Sequence, residues 1–230
     1  MKKILSLCVL TCLPLLSIAA PTMSVITVNT ENYNGYMDWA RKSAEVIGNA
    51  NGALGLGVCR TTAGAEVEGD LYYYAMSESM EKMLQGDVNV GKVAKEIAKM
   101  KVERTVQTRD MYRILKTGSG SAEVGQINNN MNILIRTNDI ASYIEGLGQL
   151  EAAYHDNDFK DITLQAFLSE SGDYTGLVMT SLSAPTRARL GAALDARSEP
   201  WAASILSSWS GKREYVRGIF MDCETLFVAD

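Results

Sequence analysis

The segment VITVNTENYNGYMDWARKSAEVI, residues 25–47, has the pattern from which the fold is predicted. A short apolar–polar alternation typical of a strand comes first, and apolar residues then recur at the spacing of one helix face. Thr30 lies between the two and is the predicted helix N-cap. The segment ILIRTNDIASYIEGLGQLEAAY, residues 133–154, repeats this order with Thr137 in the position of Thr30. The sequence therefore predicts that one strand–helix beginning occurs twice.

Two strand-like runs joined by a polar, glycine-containing loop follow each predicted helix. Pairs of this kind are typical of β-hairpins. Gly69-Asp70 and Gly172-Asp173 are predicted to mark the same turn in the two halves. The predicted hairpin strands are Leu54–Thr61 with Leu71–Met76, and Ile162–Leu168 with Tyr174–Met179.

Each half continues with a helical region in two pieces and closes with a strand. These closing strands are predicted over Asp110–Lys116 and Glu214–Phe220, and Arg113 and Arg217 match within them. The predicted order is therefore β-α-β-β-α-β, twice. A Gly-, Ser- and Asn-rich stretch separates the two copies. The predicted division is a signal peptide at 1–20, a first unit at 21–117, a linker at 118–130 and a second unit at 131–230.

The N-terminal segment has the pattern of a secretory signal peptide. Two lysines precede an uncharged apolar run, Ile4–Ile18, which ends in small residues just before Pro21. A membrane anchor is one alternative, but this run of about 15 residues is shorter than the roughly 20 that span a bilayer. A lipoprotein signal at Cys12 is another, which the preceding threonine disfavours. We predict a periplasmic or secreted protein with no stable membrane insertion after signal removal.

The composition excludes several function classes. The 230 residues are 47% hydrophobic and 21% charged, as in globular domains. A formal charge of −5 without a long basic run argues against a nucleic-acid partner. The single histidine, His155, excludes a multi-histidine metal site. It follows a predicted helix in a polar stretch, where a surface or helix-capping role is predicted, with heme ligation or general-base chemistry as the alternative. We predict no metal and no cofactor.

Two tandem β-α-β-β-α-β units resemble the ferredoxin-like split βαβ, and the pair resembles the dimeric α/β-barrel superfamily. That superfamily includes antibiotic-biosynthesis-monooxygenase-like proteins. The resemblance covers most of residues 25–228 at the level of element order. It implies an α+β fold in which the two antiparallel sheets pack face to face as an intramolecular α/β barrel. Because the superfamily contains cofactor-free oxygenases, heme proteins and proteins without known activity, it fixes no chemistry.

Two cysteines remain after signal removal, Cys59 and Cys223. In an oxidising compartment they form either one long-loop disulfide or two buried small hydrophobic side chains, and the residues alone support both. The resemblance implies that their strands lie at sheet edges that meet where the two units join. A disulfide is therefore predicted there as a clip between the units.

Polar and aromatic strand residues are the candidates for a pocket between the sheets. Strand alternation predicts that Asn29 and Arg136 point inward, and the repeat adds Arg113 and Arg217. Such a ring suits an anionic or carbonyl-bearing ligand, with salt bridges between strand ends as the alternative. Two further candidates, the tyrosines Tyr72 and Tyr74, share a strand face, where ordinary strand packing is the alternative.

Three functions are consistent with this pattern. The first is an exported protein that binds a small organic ligand between its sheets. The second is a cofactor-independent monooxygenase or isomerase whose substrate supplies its own reactivity. The third is a structural or interaction module with a filled interior. A cavity of about 300 Å³ or more with convergent polar groups favours either of the first two. The oligomeric state is left open.

Overall fold

The computed structural model describes residues 20–229, in which eight strands and six helices form two successive β-α-β-β-α-β halves. All of the predicted signal peptide except Ala20 lies outside the described residues. Within residues 20–229, no helix combines the length and apolarity needed to cross a bilayer. The elements are β1 Thr22–Asn29, α1 Tyr33–Asn51, β2 Gly55–Ala63, β3 Asp70–Ser77, α2 Met80–Gln85, α3 Gly91–Ala98, β4 Thr105–Lys116, β5 Ile127–Thr137, α4 Ile140–Asp156, β6 Thr163–Ser169, β7 Val178–Ala184, α5 Arg187–Asp195, α6 Pro200–Ser207 and β8 Arg213–Val228.

The eight strands close into one antiparallel barrel in the order β1-β3-β2-β8-β5-β7-β6-β4. Each half supplies four neighbouring strands, and the halves join at two seams, β2 with β8 and β4 with β6. Closure leaves no unpaired edge among the eight described strands, and such an edge would otherwise be open to other chains. The predicted α+β fold, two tandem ferredoxin-like units that pack as an intramolecular α/β barrel, is confirmed.

The helices cover the outer surface of the barrel, and a separate apolar core lies beneath them in each half. In the first half, Val28, Leu56 and Leu71 point outward from the strands and pack against α1. Each such fully buried side chain contributes about 1.5–3 kcal/mol relative to exposure. The second half places residues from β5, β6, β7 and α4 in the same way. They are Ile135, Leu164, Leu182, Leu147 and Tyr154.

The last strand ties the two halves together beyond its backbone pairing. β8 follows the helices of the second half, yet Phe227 at its end lies in the core of the first half. A Cβ atom on Gly48 of α1 would lie 2.5 Å from Cδ1 of Phe227, so only glycine permits this approach. Arg41 of α1 also donates two hydrogen bonds of 2.8 Å to the carboxylate of Glu224. The first core is therefore completed by the second half.

The second hairpin lies later in the chain than the sequence predicted. β7 begins at Val178, whereas the prediction began at Tyr174. Thr22 pairs with Ser77 in the first half, and Asn129 pairs with Ala184 in the second. Each residue of the second pair lies 107 positions after its counterpart in the first. The two halves therefore share one register, and the Gly172 turn is not the counterpart of the first one. A Gly-Asp turn is too common to fix a register.

The closing strands also correspond differently from the prediction. The β1–β4 and β5–β8 pairs each contain a bulge at the same point. Thr27 lies opposite Thr108, and its counterpart Leu134 lies opposite Arg217. Arg217 is thus the counterpart of Thr108, and the predicted match with Arg113 is wrong. Matching residue types could not locate the register, which the barrel pairing sets.

Two local boundaries differ from the sequence expectation. β5 begins at Ile127, inside the predicted linker 118–130. The N-cap of α1 is Asn32, whose Oδ1 accepts a hydrogen bond from the backbone N–H of Gly35 at 2.9 Å, and not Thr30. Asparagine and threonine both serve as caps, so the choice depends on where the chain leaves the strand.

Candidate functional site

The barrel encloses a cavity of about 220 Å³, which we call the lumen. Side chains from all eight strands line it, and in β1 these are Met23, Val25 and Thr27. Ile26 and Val28 point to the helices instead, as the strand pleat requires. This volume is below the about 300 Å³ that we set for a ligand pocket from the sequence, so the lumen suits only a molecule smaller than a drug-sized ligand.

Amide and hydroxyl groups cover one wall of the lumen. Asn128, Asn130 and Asn132 alternate along β5, and Ser181 of β7 lies directly opposite Asn132. Asn130 is occupied, because it accepts a hydrogen bond from Ser183. In contrast, Oδ1 of Asn132 and Oγ of Ser181 are buried without a hydrogen-bond partner among residues 20–229. Leaving a buried polar group unpaired costs about 1–3 kcal/mol, so a ligand that pairs with them would gain that amount.

Carboxylates line the end of the lumen formed by the β2–β3 and β6–β7 loops, which we call the mouth. Asp70 accepts hydrogen bonds from the amides of Asn29 and Gln107. Asp110 receives only the hydroxyl of Thr108, at 2.7 Å, among the described residues. Burial first, and then the charges of Asp173 and Glu66, raise the pKa of Asp110 above its usual value. The mouth therefore holds a carboxylate that has no cationic partner in residues 20–229.

The predicted pocket residues do not all line the lumen. Tyr72 and Tyr74 line the lumen, and burial raises the pKa of both phenols. Asn29 lies at the rim, where its amide bonds to Asp70 and to the carbonyl of Glu68 at 2.9 Å each. The ligand-binding role of these residues stays a prediction.

The three arginines do not form a ring in the lumen. Arg113 faces away from it and pairs with Glu170 of the second half at 2.6 Å. Arg136 forms an exposed pair with Glu214 at 2.7 Å. Arg217 contacts Glu66 at 2.6 Å at the mouth, again between the halves. Each of the three guanidinium groups thus has a carboxylate oxygen within 2.7 Å, and the salt bridges of Arg113 and Arg217 join the two halves.

Cys59 and Cys223 lie directly opposite each other across the β2–β8 seam, with their Cα atoms 3.9 Å apart. The structure joins them in a disulfide that also lines the lumen. Asn130 donates a hydrogen bond to Sγ of Cys223 at 3.3 Å. The disulfide therefore links β2 to β8 beside the amide wall.

A second cavity, of about 580 Å³, lies between the outer face of β1 and β3 and the helices α1, α2 and α3. We call it the helix cavity. The hydroxyls of Tyr73 and Ser77 are buried in its lining without a hydrogen-bond partner. Tyr36 also lines it, and burial raises the pKa of Tyr36 to about 12. Sequence reasoning missed this site, although tyrosines on both faces of β3 were a signal that both faces meet a cavity.

His155 lies in the last turn of α4, with Nε2 2.9 Å from the backbone carbonyl of Ile162. It lines neither cavity. Within residues 20–229, no three His, Cys, Asp or Glu side chains are grouped closely enough to hold a metal ion.

Neither family profiles nor curated protein sequences match this chain. Solved structures do. A candidate monooxygenase from Lactobacillus acidophilus has a TM-score of 0.58 at 7% identity, covering 91% of this chain and 96% of that chain. A candidate monooxygenase from Fusobacterium nucleatum has a TM-score of 0.55 at 10% identity, with 91% and 94% covered. A heme-binding protein from Thermus thermophilus has a TM-score of 0.52 at 6% identity, with 90% and 91% covered.

The chain has the dimeric α/β-barrel fold. In this α/β barrel, one polypeptide supplies both four-stranded halves, so the predicted fold is confirmed. Identities of 10% or less show the fold alone, so chemistry has to be argued from the lumen and the helix cavity.

Proposed function

We propose that this protein binds a small organic molecule in the lumen, between its two sheets. The observation that carries the proposal concerns two atoms on the neighbouring strands β5 and β7, Oδ1 of Asn132 and Oγ of Ser181. Both are buried without a hydrogen-bond partner among the described residues. Ser181 is only 3% exposed, and buried hydroxyls in folded proteins normally have a partner. A ligand with one hydrogen-bonding group at this depth would satisfy both atoms. That gain supports binding over a purely structural interior.

The remaining lining defines the body of the ligand. Tyr74, Tyr112, Phe167 and Met179 form an apolar and aromatic wall of the lumen. The lumen volume of about 220 Å³ is below the about 300 Å³ at which pockets for drug-sized ligands begin. The ligand is therefore smaller than a typical drug-sized molecule and carries an aromatic or aliphatic part beside its polar group.

Native mass spectrometry of the chain purified from its own source tests this proposal. We expect a bound small molecule that Ser181→Val removes, because valine deletes the hydroxyl and adds bulk in the lumen. Ser77→Val is the matched control, since Ser77 is equally buried with an unpaired hydroxyl but lines the helix cavity. A molecule that is lost only from the Ser77→Val protein would contradict the lumen as its site. So would the absence of any bound molecule.

A second candidate function is a cofactor-independent monooxygenase or isomerase of the antibiotic-biosynthesis-monooxygenase-like type. The helix cavity favours it, because about 580 Å³ with the unpaired hydroxyls of Tyr73 and Ser77 could orient a larger, electron-rich substrate. Two proteins of similar fold are candidate monooxygenases. Oxygen uptake with substituted naphthols tests this function. Tyr73→Phe should lower kcat/KM, whereas Ser181→Val should not. No uptake with any naphthol would count against it.

One protein of this fold binds heme, which raises the question of a heme site in this chain. The residues do not fit histidine-ligated heme in either cavity, since His155 lines neither and bonds to a backbone carbonyl. The visible absorbance of the purified protein, measured on the same sample, checks this.

We also propose that the mature protein acts in the periplasm or outside the cell. The signal-like N-terminus and the cross-seam disulfide support this location, since disulfides persist in oxidising compartments. Cell fractionation with N-terminal sequencing tests it, and intact protein in the cytoplasm would contradict it.

A further inference from the structure

We infer that the lumen selects a small organic cation, an amine protonated at neutral pH that carries an apolar or aromatic body. This inference rests on the proposed function of the lumen and names the class of its ligand. All charged side chains that line the lumen within the described residues are carboxylates. They are Glu66, Asp70, Asp110 and Asp173. A cleft lined by charges of one sign concentrates ions of the opposite sign.

The carboxylates of the mouth are not equivalent, and their contacts single out Asp110. Glu66 is neutralised by Arg217 at 2.6 Å. Asp70 is held by side-chain amides and by the backbone N–H of Val67. Within the part of the chain that the structure describes, Asp110 has only a neutral hydroxyl donor, and it is partly buried. A protonated amine beside Asp110 would supply the missing counter-charge.

The aromatic lining also favours a cation. Tyr112 lies near Asp110, and Tyr72 and Tyr174 lie near Tyr112; all three tyrosines line the lumen. The faces of such rings attract ammonium groups, by about 0.5–1 kcal/mol at exposed sites and more when water is excluded. An anionic ligand would meet both the carboxylates and the negative ring faces.

The unpaired hydroxyl of Ser181 is an independent sign that the same cavity takes a ligand. It contributes no charge, and with Asn132 it offers both hydrogen-bond donors and acceptors. The amine would therefore be recognised at the mouth, and a second polar group, where the ligand has one, would pair on the amide wall. The charge at the mouth distinguishes this ligand from a neutral molecule of the same shape.

Three probes of one shape test the inference: 2-phenylethylamine, 2-phenylethanol and phenylacetate, each titrated into the full-length protein by calorimetry at pH 7 and low salt. We expect the amine to bind about tenfold more tightly than the alcohol, a difference of about 1.4 kcal/mol, and phenylacetate not to bind. Asp110→Asn should weaken amine binding about tenfold and leave alcohol binding unchanged, because asparagine still accepts the hydrogen bond of Thr108. Glu145→Gln, an exposed acid on α4, removes one negative charge outside the lumen and should change neither.

The outcomes separate the inference from the proposed function. Equal binding of amine and alcohol, both abolished by Ser181→Val, would overturn the cation and support the lumen as a binding site. An equal effect of Asp110→Asn and Glu145→Gln on amine binding would also overturn it, because the effect would then come from overall charge. Binding of none of the three probes would overturn both ideas. Added salt should weaken the binding of the amine and leave that of the alcohol unchanged, since screening acts on the charge pair.

Discussion

Loss of the Cys59–Cys223 disulfide should strongly destabilise the barrel. The two residues are 164 positions apart, so the bond closes a loop that contains most of the described chain. In the chain-entropy model, a loop of this length lowers the entropy of the unfolded chain enough to stabilise the fold by about 5 kcal/mol. Domains have a free energy of unfolding of about 5–15 kcal/mol, so Cys59→Ala/Cys223→Ala would remove a large part of it. The midpoint temperature should fall by roughly 10–20 °C.

Urea denaturation of the oxidised protein with and without reductant measures this effect. Wild type should lose about 5 kcal/mol in reductant. The double variant should show the lower stability in both conditions and a steeper denaturant dependence, because its unfolded chain is less compact. Since β2 and β8 stay paired by their backbones, the folded spectrum of the variant should not change. An unchanged urea midpoint in reductant would refute the loop-entropy reasoning.

Three further predictions follow from particular contacts. Lys116→Met should lower the free energy of unfolding by about 3–5 kcal/mol, because it leaves the buried Glu151 carboxylate without its cation; urea denaturation measures this, and adding Glu151→Leu should recover much of the loss. Gly48→Ala should cost about 1–3 kcal/mol, since its Cβ would overlap Phe227, and thermal unfolding checks it. Asp110→Asn should stabilise the protein at pH 7, because burial raises the pKa of Asp110 and so disfavours its charged form in the folded protein. The urea midpoint of the variant should exceed that of wild type at pH 7, and the two should converge towards pH 3 as wild-type Asp110 is protonated. A difference in midpoint that stays constant with pH would contradict this cause.

The Asp110→Asn prediction separates stability from binding at one residue. If Asp110 recognises a cation, the same substitution that stabilises the free protein should weaken amine binding. Residues retained for function often cost stability in this way.

The order of elements and the facing of the first strand in each half were predictable. Thr27 points to the lumen and Val28 to the helices, as the two-residue period of a strand requires. The same period predicted Tyr72 and Tyr74 on one face of β3. Residue matching failed at Arg113. The barrel register makes Thr108, which lies earlier in β4, the counterpart of Arg217.

The order of strands and helices and the duplication of the unit were predictable from the sequence, because these properties depend on spacing along the chain. Which distant residues meet depends on the folded barrel. Barrel closure brings Cys59 opposite Cys223, and it packs Phe227 of the last strand against the first helix. It also leaves Asp110 without a cationic partner while the arginines find carboxylates at strand ends. Such pairings depend on register and closure, which are set by the simultaneous fit of all eight strands and not by any one segment.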